Sequence, residues 1–212
     1  MLFDFSEISV NNRYKLLTAT VVPRPIAWVV TEDAEGTANA APFSFFNVFS
    51  SDPPVLGISI GGSEGGANQK DTLRNILASG QFVVCLVPES AAEAMNVTAI
   101  DMPPGVDELR EAGLTPLPSA RVRPPRIGES PVAMECETFQ TVPLGGNTLV
   151  LGRILAMHLH DECVLDAARV HVDTPRLGLI GRMHGGGGYL RTTDQFQVPR
   201  ISWAAWRERQ GG

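Results

Sequence analysis

Short apolar runs rich in β-branched residues recur along this chain, at Ala27–Val30, Val55–Ile60, Phe82–Val87, Val132–Cys136, Leu149–Met157 and Val164–Val172. Each is bounded by Gly, Pro, Asn or Asp, residues that stop a strand and turn the chain. Such spacing favours a barrel or sandwich, so the expected fold class is mainly β with short helices. From Leu56 to Ile60 apolar residues alternate with small ones, whereas Phe82–Val87 is apolar throughout, as in a strand covered on both sides. Another subunit is a candidate for the second cover.

Helical pattern is confined to short segments. Leu73, Ile76 and Leu77 share a face, with Asp71 or Thr72 placed to cap the first amides and Gly80 to end the helix. Ser90 to Ala99 reads similarly with Ser90 as N-cap, and Asp107 to Ala112 ends at Gly113. Between Leu114 and Gly128, Pro116, Pro118, Pro124 and Pro125 preclude regular ladders, so this stretch reads as a connecting loop. Gly185–Gly188 is a glycine run before Tyr189, and Trp203–Gly212 reads as a partly frayed tail. The 212 residues suit one domain with its core over about residues 14–190.

Composition narrows the function. With 17 basic and 23 acidic residues and a pI near 5.2, the chain lacks the cationic footprint that nucleic acid or an anionic membrane demands. A small molecule or a protein is the expected partner. Met1-Leu2-Phe3 runs straight into Asp4 and Glu7, with no basic segment ahead of an apolar one, and no window approaches the roughly 18 apolar residues of a membrane span. A cytoplasmic setting is expected, and it suits Cys85, Cys136 and Cys163, which lie far apart in or beside apolar runs as reduced, buried thiols. No CxxC or CxxH spacing supports zinc.

The chemistry concentrates between Val22 and Thr72. A strand from Ile26 to Thr31 breaks at Glu32–Gly36 and resumes through Asn39, Ala40, Ala41, Pro42, Phe43 and Ser44, a hairpin closing on polar atoms. Pro23, Pro25 and Ile26 give rigid apolar backbone, while Thr31, Asn39 and Ser44 give donors and acceptors. Lys70 and Thr72 open a helix whose amides and dipole favour an anion. Together they offer three things: a flat apolar slot, polar atoms along an edge, and charge or amides for an anion. Taken singly, Asn39 is a turn residue, Ser44 a satisfied strand hydroxyl and Lys70 a solvated charge. It is their joint pattern that points to a ligand.

That residue order, followed by Lys70-Asp71-Thr72, resembles the flavin reductase-like family, whose members carry FMN in a split β-barrel. The likeness continues through Pro53-Pro54, Asn75-Ile76, Phe82-Val83-Val84, Pro131–Cys136 and Leu151–Ile154, and closes with Leu179–Arg182, Gly187, Gly188 and Tyr189. It implies an FMN-binding split β-barrel and a homodimer with the flavin near the subunit interface. The implied cofactor positions are Arg24, Thr31, Asn39, Ala40, Ala41, Ser44, Lys70 and Thr72. Pro25, Asp71, His184 and Tyr189 complete the candidate set. The resemblance further implies NADH or NADPH as transient co-substrate, and a free flavin, an oxygenase or another electron-acceptor protein as the destination. No side chain need act as an obligatory acid or base. Two departures bear on access over the ring: the glycine run is longer than the family's usual pair, and Met183-His184 intervenes after Arg182.

His184 is a histidine near the suspected site, a residue type suited to a cofactor edge or a nicotinamide phosphate, although its glycine neighbours fix no geometry and a plain loop histidine competes. His158 and His160 share a strand face beside Asp161 and Glu162, yet no third metal ligand is identifiable, and a solvent-facing strand is the favoured reading. Gly61–Gly66 follows a strand but leads into Ala67-Asn68-Gln69 without a strong helix or acidic partner, so a dinucleotide fingerprint is absent. Cys85 in a core-like run is no nucleophile, and GxSxG does not occur. The first functional reading is an NAD(P)H:flavin oxidoreductase. A non-enzymatic FMN electron carrier is the second, and a small-molecule binding barrel that has lost flavin is the third.

Overall fold

The computed structural model describes residues 1–62, 69–103 and 105–210. The chain opens with α1 (Val10–Thr20) and runs through β1 (Ala27–Glu32), β2 (Ala38–Phe43), β3 (Phe46–Ser51) and β4 (Pro54–Gly61) into α2 (Asp71–Ser79). Then follow β5 (Gln81–Leu86), α3 (Ala92–Val97), α4 (Glu108–Glu111), β6 (Pro116–Leu117), β7 (Arg126–Ile127), β8 (Val132–Leu144) and β9 (Asn147–Leu159). The last elements are β10 (Val164–Asp166), β11 (His171–Val172), β12 (Ile180–Arg182), β13 (Tyr189–Arg191) and α5 (Trp203–Gln210). No described helix is long and apolar enough to cross a membrane.

Seven strands form one antiparallel sheet in the order β2-β1-β5-β8-β9-β4-β3. Its edge strands, β2 and β3, are consecutive in the chain and separated by Ser44 and Phe45 alone. The sheet therefore curls until its two ends meet at that corner, where the Ser59 amide donates to the Phe45 carbonyl at 2.8 Å. The result is mainly β with short helices, as the spacing of apolar runs predicts.

Period-two alternation divides the apolar side chains of β1 and β5 between two cores. Ala27, Val29, Phe82 and Val84 face one, with Leu56, Ile58 and Ile60 of β4 and with Leu73 and Ile76 of α2. Trp28, Val30, Val83 and Cys85 face the other, with Met95 of α3, Leu109 of α4 and Ile127. This corrects the expectation for Phe82–Val87: both covers come from the same chain, and the strand's composition says nothing about a second subunit.

Other expectations need correction. Val164–Val172 is a two-strand hairpin, because the chain turns at Ala167–Val170. Ser90 caps nothing: a 3-10 turn over Glu89–Ala91 precedes α3, whose N-cap position is Ala91. The helix at 71–79 has Lys70 at its N-cap with no side-chain hydrogen bond, so neither Asp71 nor Thr72 caps it, whereas Gly80 ends it in the left-handed conformation at φ +69°. The proline-rich loop contains a two-residue ladder, Pro116–Leu117 against Arg126–Ile127. Its middle is tied to the sheet by Glu135, which is 0 % exposed and accepts the amides of Ala120 at 2.8 Å and Arg121 at 2.5 Å. The tail is helical over Trp203–Gln210, while residues 211–212 lie outside the described residues, as do positions 63–68 of the glycine-rich stretch weighed as a dinucleotide fingerprint.

Curling demands close approach between strands. Gly152 on β9 lies opposite Leu56, and a Cβ there would strike Cζ of the buried Phe82 ring. Gly152→Ala should therefore destabilise the protein by about 1–3 kcal/mol through overpacking. A lowered urea midpoint at unchanged slope would show it; an unchanged midpoint would refute it.

Candidate functional site

β1 and β2 pair so that Thr31 lies opposite Asn39, and this register assembles a buried polar relay. The Asn75 amide of α2 donates to the Thr31 hydroxyl at 3.1 Å, and the Thr31 hydroxyl donates to Asn39 Oδ1 at 3.2 Å. The Thr72 hydroxyl donates to the same oxygen at 2.9 Å. Asn39 Nδ2 in turn donates to Glu108 Oε2 at 2.8 Å, and the Ala40 backbone amide donates to it at 2.6 Å. β2 is a sheet edge, and Glu108 occupies the place of a missing neighbour for Ala40.

The relay floors a cavity of about 480 Å³, within the range of small-molecule sites. Asn39, Thr72, Lys70, Asp71, Gln69 and Glu108 supply its polar lining, and Ala41, Pro42, Phe43, Ala99, Ile100 and Met102 its apolar wall. Lys70 Nζ pairs with Asp101 at 2.6 Å at the rim, and Asp71 pairs with Arg74 at 2.6 Å. A second hollow of about 230 Å³ shares Pro42, Phe43 and Ala99 with the first and adds Ser44, Tyr14, Asn96, Arg182 and Tyr189. The Arg182 guanidinium lies 4.7 Å from the Tyr189 ring centroid, a cation–π contact.

Of the residues singled out in the sequence, Asn39, Ala41, Lys70, Asp71 and Thr72 line the first cavity, and Ser44 and Tyr189 the second. Thr31 and Ala40 are buried beneath them, and Thr31 acts by orienting Asn39. Arg24 is 5 % exposed and its guanidinium is committed to the protein itself. It donates to the carbonyls of Thr18 at 2.8 Å, Val21 at 2.9 Å and Met183 at 2.7 Å, and to Ser44 Oγ at 3.2 Å. Arg24 and Pro25 instead border an apolar crevice of about 250 Å³ with Leu179 and Leu190. His184 is exposed on the β12–β13 loop, where Nδ1 accepts the Gly186 amide at 3.3 Å, and it lines neither hollow.

His158 corrects the solvent-facing reading: its Nε2 pairs with buried Glu135, while His160 Nε2 meets the Gly128 carbonyl at 3.0 Å. Cys85, Cys136 and Cys163 are free and buried, and burial pushes the Cys85 thiol up to about 12, which makes it inert.

Glu108 carried no signal in the sequence beyond membership of a short helix. It is 8 % exposed. Burial chiefly, and the negative charges of Asp71 and Asp107, raise its pKa to about 7 against the opposing hydrogen bonds from Ala40 and Asn39.

This curled antiparallel sheet has counterparts among known proteins. Residues 19–174 match the flavin reductase like domain, and the chain belongs to that family. It is 43% identical over 211 residues to a Deinococcus radiodurans protein, covering 98% of this chain and 92% of that one. Nitrilotriacetate monooxygenase component B from Bacillus cereus superposes with a TM-score of 0.87 at 32% identity, over 93% of this chain and 98% of its own. The 2-nitrobenzoate 2-nitroreductase NbaA of Pseudomonas fluorescens gives a TM-score of 0.87 at 33% identity, over 96% and 98%.

Two outcomes follow. Lysine cannot reproduce the planar fork of Arg24, so Arg24→Lys should cost about 1.5–3 kcal/mol, read from equilibrium denaturation. Glu108, with its pKa raised in the folded state, binds its proton more tightly there than in the unfolded chain. It therefore contributes stability below the ordinary carboxylate value of 4.5 that is lost as pH rises through about 7. In the ligand-free protein, Glu108→Gln should flatten that decline in melting temperature between about pH 5 and pH 8; a decline of wild-type size would refute the assignment.

Proposed function

We propose that this chain is an NAD(P)H-dependent flavin reductase that holds FMN in the Asn39–Glu108 cavity and passes reducing equivalents to free flavin or to a partner. The observation that carries the reading is the gradient along β2, from the Asn39 relay at one end to the Pro42–Phe43 wall at the other. That arrangement fits an amphipathic planar ligand, and the first-turn amides of α2, which no side chain caps among the described residues, suit its phosphate.

In this reading Ala41, Pro42, Phe43 and Ile100 pack against the ring system, while Asn39 and Thr72 meet its polar edge. Lys70 and the α2 amides hold the phosphate. Lys70 and Asp101 are both exposed, and exposed pairs contribute little, so Lys70 can exchange partners cheaply. Bound FMN supplies hydride acceptance and delivery. The side chains orient the ligand and keep water from it. In the same reading Ser44, Arg182 and Tyr189, which line the adjoining hollow, receive the nicotinamide.

The 212 residues act in this reading as one cytoplasmic domain. A homodimer is also part of it, supported by Val48 and Phe49, which stand out on edge strand β3 with Phe49 64 % exposed. One relative's name as a monooxygenase component supports an oxygenase partner, and another's as a nitroreductase supports a small-molecule acceptor.

The gently purified protein should be yellow, release FMN on mass spectrometry, and oxidise NADH or NADPH when free flavin is added. Saturating FMN should raise the melting temperature, by about 2.7 kcal/mol of stabilisation at a hundredfold excess over Kd. A colourless protein that FMN does not stabilise would overturn the reading.

A further inference from the structure

Glu108 differs from every other group in the cavity in being a buried acid with one oxygen saturated and the other not. Oε2 accepts both the Ala40 amide at 2.6 Å and the Asn39 side-chain amide at 2.8 Å. Both of these bonds end on Oε2 and none reaches Oε1 among the described residues, and the residue lines the cavity. The position is rigid on both sides. Leu109, the next residue of α4, is anchored in the core shared with Trp28 and Met95, and Asp107 caps α4 by accepting the Arg110 amide at 3.1 Å.

The charges that face Glu108 are mostly of its own sign. Asp71 comes from α2 and Asp107 from its own element, while Lys70 and Asp101 at the rim neutralise each other at 2.6 Å. Arg74 is held by Asp71. β2 brings only the neutral Asn39 and the Ala40 amide. With Lys70 paired to Asp101 and Arg74 to Asp71, an ionised Glu108 is a negative charge with no cation beside it among the described residues of the cavity, and a phosphate entering the same space would face it through a poorly screening medium.

We propose that Glu108 is a ligand-coupled carboxyl: when a phosphate-bearing flavin enters this cavity, a proton from solvent is taken up on Glu108 Oε1. Oε2 keeps its two donors. The new O–H gives the cavity a donor in place of a charge, so one residue both holds the edge of β2 and sets how tightly an anionic ligand binds at a given proton concentration. The proposal rests on the flavin reading of the cavity, and it predicts discrimination: riboflavin, which lacks the phosphate, should draw little or no proton. The raised pKa of the free carboxyl, about 7, places the transition where it can be measured.

The test is calorimetric titration of the full chain, free of ligand, with FMN and with riboflavin, in buffers of different ionisation enthalpy at about pH 7.5. FMN should take up about half a proton or more per site and riboflavin distinctly less. Between about pH 6.5 and pH 8.5, above the phosphate's own second pKa near 6, the Kd for FMN should weaken by about tenfold or more. Glu108→Gln retains an oxygen to accept from Ala40 and Asn39; it should still bind FMN, with the uptake abolished and the Kd nearly flat with pH. FMN binding by the wild type without proton uptake would overturn the proposal and leave the flavin reading intact, as would undiminished uptake in Glu108→Gln. Failure of the wild type to bind either flavin would overturn both. The FMN–riboflavin contrast in the wild type decides the matter even if the variant does not fold.

Discussion

The outer edge of β2 is the constraint on which the site depends. A sheet that curls until its ends approach still leaves two strands with unpaired backbone, and here one is β2, the strand carrying Asn39 through Phe43. The chain covers part of it with a carboxylate, which takes the Ala40 amide. Because the same oxygen also receives the Asn39 side chain, closing the edge and orienting the site's central amide are a single event. Thr31, Thr72 and Asn75 complete the arrangement from beneath, each donating one side-chain hydrogen bond within the relay.

The electrostatics depart from what Lys70-Asp71-Thr72 suggests when read as a string. A lysine before a helix implies a positive anchor, whereas in three dimensions Asp101 answers that lysine, and Asp71 and Glu108 stand close by. In the proposed reading, attraction for an anion comes from amides and from a charge that must change partners, against acids that oppose it. Such a balance is adjustable, unlike the fixed charge of a buried arginine. Arg24 makes the contrast: its guanidinium, expected to serve a cofactor, is spent joining α1, the Ser44 corner and Met183.

Much of this was legible in the sequence for physical reasons. The hairpin was, because the apolar run Ile26–Thr31 and its break at Glu32–Gly36 are local signals, and Gly36 takes a positive φ in the turn, at +86°. The length of β8 and β9 was not, since Thr138–Thr141 and Leu144–Asn147 offer neither an apolar run nor clear alternation, and their pairing comes from the partner strand. β3 was missed because an exposed edge strand imposes no apolar pattern. Glu108 was missed for the opposite reason: a glutamate in a four-residue helix reads as solvated, and only a contact 68 residues away in sequence shows that it is buried.

The far wall of the cavity, Thr98–Met102, and the acid that meets β2 both belong to the one long connection between β5 and β8. The barrel contributes the near side and this excursion contributes the other. Selectivity can therefore diverge between descendants of such a protein by exchange of a single crossover, with the strand scaffold inherited unaltered.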